Sequence, residues 1–323
     1  MFNIKQLTKK GNNMNNLKKL GLTALGTAMV ASSASAADYS ISATSQITLL
    51  GGDNGDDGNG WSMSDSVTFS ASGDMDNGMS VSTSFELDGA AIDANSIAVS
   101  TDDMGTVTFI GGGSSSVINT WDDLTPNANE ESWGAPFNGT KAAVAGGSGI
   151  THNLFMYDYT VMDGVAIKAA YVPSDLTNAV DSSVDYGVHV TMIDNLDIYA
   201  AMGENNDTSN GADVSAFAVK YTMGGITLGY QANETDYGTG TSDKDATMVG
   251  ISYAVSDDLS VSFNTSTIDF ESTTLDDQEA QSVSFSHTSG GMTLSGTYGT
   301  MDNVGGSSSV DNNAYELNVK FAF

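Results

Sequence analysis

The chain has 323 residues, 36 glycines and no cysteine, and its 40 acidic residues against 10 lysines give a formal charge of -30. This balance excludes a nucleic-acid-binding function, because neutralising phosphates requires basic side chains that the chain lacks. The absence of cysteine excludes disulfide bonds and thiol catalysis.

The N-terminus has the pattern of a secretory signal peptide. Lys18 and Lys19 precede a mostly apolar stretch at 20–31, and the Ala-Ser-Ala triplet at 34–36 has the small-x-small form of a signal-peptidase site. We therefore expect a signal peptide at 1–36 that is cleaved after its last residue, Ala36. A membrane anchor is disfavoured, because the stretch is too short to span about 30 Å of hydrocarbon.

Two start positions fit this leader, since Met1 and Met14 differ only in the length of the basic region that precedes the apolar stretch. The remaining residues, 37–323, are expected to form one domain. They contain no run of about 18 apolar residues, which a membrane-spanning helix needs. If this domain enters a membrane, it does so as a closed barrel whose backbone groups all pair between strands.

After the leader, apolar and aromatic residues recur at every second position, which predicts strands with one apolar face. Strong acidity with many small polar residues is also typical of disorder, but a disordered chain would not keep this alternation. The predicted strands are 39–50, 63–73, 79–87, 96–101, 106–111, 152–161, 165–172, 184–193, 196–203, 214–223, 226–233, 246–255, 259–268, 280–288, 292–300 and 315–323.

Short turns and longer loops alternate between these strands, as in transmembrane barrels, whose strands need about 9 to 11 residues to cross a bilayer. We therefore predict an all-β fold, a transmembrane antiparallel barrel of 16 strands. A count between about 14 and 18 is compatible with the pattern, because predicted boundaries shift by about two to four residues. A soluble β-sandwich or β-helix is disfavoured, since the polar face of Ser, Thr and Asn suits a water-filled lumen.

The segment 113–150, between the fifth and sixth predicted strands, breaks the alternation. It contains Trp121 and Trp133, for which packing against the wall is the expected role. Its four acidic residues are Asp122, Asp123, Glu130 and Glu131. A loop this long in a compact domain is usually functional, so we expect it to fold inward and to set the width and charge of a pore. A solvated outer loop is the alternative.

Acidic residues also occur in the other long loops. Asp53, Asp56 and Asp57 lie among glycines as in a calcium-binding loop, but Ser64 stands where the closing glutamate should be. A solvated loop that binds divalent cations such as calcium only weakly is therefore favoured. No other cofactor is expected.

The last strand alternates apolar residues up to a terminal aromatic, through Tyr315, Leu317, Val319, Phe321 and Phe323. With the signal segment and the long acidic segment after the fifth strand, this makes residues 37–323 resemble a Gram-negative general porin. The resemblance implies a trimeric diffusion channel in the outer membrane, surrounded by lipid and lipopolysaccharide. It also implies that the barrel assembly machinery recognises the terminal aromatic.

Porins of this type typically place arginines opposite the acidic loop, and this chain has no arginine. Alternation instead places Lys168, Lys220 and Lys320 on the polar faces of their strands. The acidic and histidine residues on such faces are Glu86, Asp158, His189 and Glu316. We expect these residues to line the pore wall, because a lysine facing lipid would cost about 2 to 4 kcal/mol at the membrane midplane.

These features predict passive diffusion of small hydrophilic solutes and ions through a water-filled pore. Carboxylates on the loop outnumber the wall lysines, so the pore should prefer cations. An enzymatic barrel would need a serine–histidine pair, and no nucleophile motif surrounds His152, His189 or His287. We therefore expect no enzymatic activity. A structural or adhesive barrel with a plugged lumen is the remaining alternative.

Overall fold

The computed structural model describes residues 37–52, 60–89, 91–113, 116–134, 137, 139–143, 153–174, 182–206, 211–237 and 243–323. The predicted leader at 1–36 lies outside these residues, as do Asp53, Asp56 and Asp57 of the acidic loop. Within the described ranges, no helix is both long enough and apolar enough to cross a membrane.

Antiparallel strands form one closed barrel, in which each strand pairs with its sequence neighbours and the first pairs with the last. The predicted sixteen-stranded antiparallel barrel is therefore confirmed. The strands are β1 (Asp38–Gly52), β2 (Gly60–Asp74), β3 (Ser80–Asp88), β4 (Ala91–Thr101), β5 (Gly105–Gly112), β6 (Leu154–Met162), β7 (Val165–Val172), β8 (Ser183–Ile193), β9 (Leu196–Asn205), β10 (Ala212–Met223), β11 (Ile226–Asp236), β12 (Lys244–Ala254), β13 (Leu259–Phe270), β14 (Gln278–Ser289), β15 (Met292–Asp302) and β16 (Asn312–Ala322).

The two ends of the barrel domain complete the ladder. Strands β1 and β16 pair from Thr44, opposite Ala322, to Gly52. The terminal residue extends this pairing, because the Phe323 N–H donates to the Ala43 carbonyl at 2.9 Å and the Ala43 N–H donates back at 3.2 Å. A bilayer offers no water to an unpaired strand edge, so this seam satisfies backbone groups that lipid could not.

The two faces of each strand differ sharply in size and polarity. On β10, Phe217 and Tyr221 are 44% and 41% exposed, whereas Ala216 and Ala218 on the other face are 4% and 1% exposed. Large apolar side chains thus point outward around the barrel and small or polar side chains point into the lumen. This is the distribution that a lipid solvent outside and water inside require.

Several strands are longer than their apolar pattern. The stretch between the third and fourth predicted strands contains the start of β4, and the register between β3 and β4 shifts between Glu86 and Leu87. At the same rim, Asp236 near the end of β11 still pairs with Asp213 near the start of β10. The backbone ladder continues past the last apolar residue because its hydrogen bonds do not depend on side-chain polarity.

The segment between β5 and β6 contains a one-turn helix, α1 (Val117–Trp121), where the sequence predicted only loop. Val117 and Ile118 are fully buried and pack with Leu154 and Val172 on the inner side of the barrel. The helix contacts β7, β8, β9 and β10. A helix of one turn is too short to show helical periodicity, so no pattern in the sequence predicts it.

Substitution with lysine tests the face assignment on a single strand, β14. Val283 points outward and is 52% exposed, whereas Ser286 lies on the lumen face. We expect Val283→Lys to lower the free energy of unfolding by about 2 to 4 kcal/mol, the cost of a lysine in the lipid core. Ser286→Lys should have a much smaller effect. Urea unfolding of the protein in lipid vesicles measures both, and equal losses would contradict the assigned faces.

Candidate functional site

The described part of the connection between β5 and β6 lies along the inner wall. We call residues 116–134, 137 and 139–143 the pore segment. Inward-facing side chains of the wall bind its backbone: the Gln231 side-chain oxygen accepts from the Leu124 N–H at 2.7 Å, and the Gln278 oxygen accepts from the Thr140 N–H at 2.8 Å. Since these glutamines belong to β11 and β14, the pore segment spans that side of the lumen.

Glycines in the wall make room for the pore segment. A Cβ at Gly187 would lie 2.3 Å from the ring of Trp121, and one at Gly229 would lie 2.2 Å from Pro126. A Cβ at Gly250 would lie 2.9 Å from the carbonyl oxygen of Pro126. Any larger side chain at these three positions would push the pore segment off the wall.

Both tryptophans of the segment are buried, in keeping with the packing role expected from the sequence. Trp121 is 5% exposed and lies edge-on to Tyr199, with ring centroids 5.4 Å apart. Trp133 is 7% exposed and donates its indole N–H to the sulfur of Met248 at 3.1 Å. The two rings therefore hold the segment at two separated points of the wall.

Asn129 ties the pore segment to the far side of the same wall. Its side-chain N–H donates to Thr297 at 2.9 Å, and its oxygen accepts from Ser295 at 2.6 Å and from Asn318 at 3.4 Å. The Glu130 N–H also donates to Thr297, at 3.2 Å. The pore segment thus extends from α1, beside β7, to β15 and β16 near the barrel seam.

The four predicted loop acids do not share one environment. Asp122 is 3% exposed, and its backbone carbonyl accepts from Asn233 at 2.7 Å, so this residue lies against the wall rather than in the open lumen. The other three, with Glu316 of β16, form what we call the acid cluster: Asp123, Glu130, Glu131 and Glu316. Glu316 is itself 7% exposed and hydrogen-bonds to Asn318.

Burial and mutual repulsion hold protons on the three acids of the pore segment, Asp123, Glu130 and Glu131. Burial raises the pKa of Asp123 to about 7, aided by the negative charge of Glu131 and a hydrogen bond between the two side chains. Burial also raises the pKa of Glu130 to about 8, with further contributions from Glu131, Glu316 and Asp123. The pKa of Glu131 is raised by burial too, although Lys141 works against that rise. The combined charge of Asp123 and Glu130 therefore changes near neutral pH.

Two of the three predicted wall lysines have close partners on the wall. The ammonium of Lys168 lies 2.5 Å from a carboxylate oxygen of Asp158, on the neighbouring strand. Lys220 lies over the ring of Tyr199, 5.3 Å from its centroid, and is directly opposite Asp197 in the register. On β6–β10, the charge of Lys168 is therefore balanced by an ion pair, whereas that of Lys220 lies against an aromatic ring.

Other predicted wall residues are placed as follows. His189 is 2.8 Å from a carboxylate oxygen of Asp197 and stacks on Tyr199, with ring centroids 4.0 Å apart. Lys320 is exposed on the lumen face of β16, opposite Gln46. Glu86 faces the lumen opposite Thr68. In the described part of the chain, no group of three or more acidic or histidine side chains is arranged to hold a metal ion.

Sequence reasoning missed the character of the wall formed by β1–β5, which the pore segment leaves uncovered. Its inner face is dominated by hydroxyls, several of which bond across strands: Thr44 to Ser66 at 3.2 Å and Ser100 to Thr106 at 2.8 Å. No lysine lies on the inner faces of these five strands. The alternation in the sequence contained this signal, but only the barrel aligns these hydroxyls into one wall, which adjoins β16, the strand of Glu316.

Larger side chains at Gly229 and Gly250 should displace the pore segment from the wall and widen the pore. We expect Gly229→Val and Gly250→Val to raise single-channel conductance by about twofold or more, because overpacking at a close contact forces the neighbouring backbone to move. Gly73→Val is the matched control, since a Cβ there meets nothing closer than Ala37 at 3.9 Å. Unchanged conductance in both Gly229→Val and Gly250→Val would show that the pore segment does not limit the width of the pore.

The raised pKa values also predict a pH dependence of stability. Asp123 and Glu130 hold protons more tightly in the folded state than in the unfolded chain. Their contribution to stability is therefore complete below about pH 4, where unfolded carboxyls are also protonated, and is lost as the pH rises through the folded values of about 7 and 8.

We accordingly expect the thermal unfolding midpoint to fall as the pH rises from about 4 to about 8. Glu130→Gln should reduce that fall, because its amide cannot ionise. Circular dichroism melts in detergent across this range provide the measurement, with Asp74→Asn at the end of β2 as the control. A midpoint that rises with pH would contradict the assignment.

The model of the Gram-negative porin family matches residues 21–319. A search among curated proteins returned no match.

Solved structures with the same fold include three porins or outer-membrane proteins of low sequence identity. A loop-deletion mutant of OmpT, an outer membrane protein of Vibrio cholerae, is 16% identical with a TM-score of 0.68, covering 89% of this chain and 100% of its own. An anion-selective porin from Comamonas acidovorans is 14% identical with a TM-score of 0.68 and the same coverage. A mutant of the Rh. blastica porin is 17% identical with a TM-score of 0.62, covering 88% and 100%.

Proposed function

Because the chain belongs to the Gram-negative porin family and is a multi-pass β-barrel of the outer membrane, we propose that it is a passive diffusion channel that prefers cations. Small hydrophilic solutes and ions would cross through the water-filled space between the pore segment and the uncovered wall. No catalytic step is part of this proposal.

The observation that supports a cation preference is the imbalance of charge around the lumen. Asp123, Glu130 and Glu131 gather on the pore segment, whereas Lys168 is paired with Asp158 and Lys220 lies opposite Asp197. A group of carboxylates raises the local concentration of cations and repels anions. Among the described residues, Lys168 is the one predicted wall lysine within ion-pair distance of a carboxylate. Lys220 lies over the ring of Tyr199, and Lys320 lies opposite Gln46.

The fold alone does not determine the sign of selectivity. The porin from Comamonas acidovorans has the same fold and is anion-selective. The preference must therefore come from the charged side chains around the pore, which differ between proteins that share a barrel.

Both ends of the chain and its outer loops bear on how the barrel is assembled and what surrounds it. We infer that residues 1–36 are a cleaved leader and that the terminal strand ending at Phe323 is recognised by the barrel assembly machinery. A trimer is proposed because OmpT of Vibrio cholerae has a trimer form with this fold. The acidic outer loops would face lipopolysaccharide, with divalent cations such as calcium screening like charges through weak oxygen coordination.

Reversal potentials in a salt gradient across a planar bilayer test the preference. We expect cation selectivity, and we expect the triple variant Asp123→Asn, Glu130→Gln, Glu131→Gln to reduce the permeability ratio by about threefold or more, since the local attraction for cations is removed. The double variant Asp158→Asn, Lys168→Gln is the control. It removes a pair whose charges cancel, so the ratio should stay close to that of the unmodified protein.

Selectivity of the unmodified protein should also increase as the pH rises through the range in which the acid cluster ionises. An anion-selective reversal potential at alkaline pH, where the carboxylates are charged, would refute the cation preference. Complete absence of conductance would favour a plugged barrel instead.

A further inference from the structure

We propose that the inner faces of β1–β4 form a binding site for neutral polyhydroxylated solutes such as monosaccharides. The site is a cavity of about 330 Å³ in the uncovered wall, which we call the serine cavity. Its volume is in the range of small-molecule sites. The inference rests on the proposed channel function and extends it, because it names a class of solute that the pore would hold.

The serine cavity is formed by hydroxyls arranged in two adjacent rows across the strands. In the first row, Ser72 lies opposite Asp38 on one side and opposite Ser82 on the other. In the second row, Ser70 lies opposite both Ser40 and Ser84. Side chains directly opposite each other have Cβ atoms about 4.5 to 5.5 Å apart, so the barrel presents a two-dimensional grid of hydroxyls to the lumen.

Most of this grid is not used by the protein itself. Ser84 bonds to Ser96 at 3.1 Å. Within the described ranges, the hydroxyls of Ser40, Ser70, Ser72 and Ser82 have no such partner. Each hydroxyl can donate one hydrogen bond and accept others, and the grid therefore offers donors and acceptors together.

The charge of the serine cavity selects among polar solutes. Asp38 is the one carboxylate that lines it, and no lysine lies on the inner faces of β1–β5. An anionic solute would find no lysine there, and an apolar solute would leave the hydroxyls unpaired. A sugar matches the grid, because its hydroxyls also donate and accept, and a pair of them can donate to a carboxylate.

The cavity lies at the rim opposite the acidic outer loops. Its rows are next to the start of β1 and the tight turn that joins β2 to β3, so they are at the end of the barrel where the short turns gather. A solute that has passed the pore segment would meet this wall before leaving. The site would therefore act as a weak holding position on the path.

Ion current through the full-length protein in a planar bilayer tests the proposal, with glucose as the probe. We expect glucose to reduce the current saturably, and a short ethylene glycol oligomer of similar size to reduce it only in proportion to concentration. The triple variant Ser70→Ala, Ser72→Ala, Ser82→Ala should weaken the apparent glucose affinity by about tenfold or more, because several hydrogen bonds are lost together.

A matched triple variant controls for the general loss of lumen hydroxyls. Ser252→Ala, Ser260→Ala, Ser286→Ala removes three lumen-facing serines from β12–β14, away from the cavity. This variant should keep the affinity for glucose, and all three proteins should have similar conductance without sugar.

Three outcomes would overturn the proposal: a glucose effect that never saturates, an effect that the cavity variant retains, or stronger competition by gluconate or ethanolamine than by glucose. If the unmodified protein does not conduct ions at all, that result refutes the channel function and not the sugar site. Calorimetry with glucose on detergent-solubilised protein would then decide whether the cavity binds sugar.

Discussion

The structure depends on one requirement, that every backbone N–H and C=O within hydrocarbon must have a partner inside the protein. Closure of β1 onto β16 meets this requirement, and the last residue, Phe323, takes part through its own backbone. Once the barrel is closed, alternation leaves each strand with a lipid face and a water face. The rest of the molecule follows from what the sequence places on the water face.

The lumen of this barrel is divided by the way the pore segment is attached. Glycines at 187, 229 and 250 let the segment approach the wall of β8, β11 and β12, and neutral amides such as Gln231 and Asn129 satisfy its backbone or neighbouring hydroxyls. These contacts carry no net charge. The carboxyl groups of the pore segment are thus held together by the packing of their neighbours. Burial, and after it mutual repulsion, raises the pKa values of Asp123 and Glu130.

The two sides of the open lumen differ in chemistry. One side is the pore segment with its acid cluster, and the other is a wall of serine and threonine hydroxyls without lysine. The lysines that do face the lumen at 168 and 220 lie beside carboxylates on adjacent strands. A field from the acid cluster is therefore opposed by few fixed positive charges, and neutral hydroxyls remain available to solutes that carry no charge.

The sequence by itself determined the strands and which way their side chains point, because a period of two assigns every residue to one face without reference to other strands. It therefore assigned Lys168, Asp158 and Glu86 to the lumen face of their strands. Only the tertiary structure decided which of these residues are neighbours, since register and closure set contacts across strands.

That is why the sequence did not show the pairing of Lys168 with Asp158, the burial of Asp122 against the wall, or the meeting of Glu316 with acids far from it in the chain. The one-turn helix α1 also escaped, because it is stabilised by contact with the wall and not by a pattern of its own. The hydroxyls of the serine cavity were visible as single letters. Their arrangement into a surface exists only where four strands are aligned by backbone hydrogen bonds.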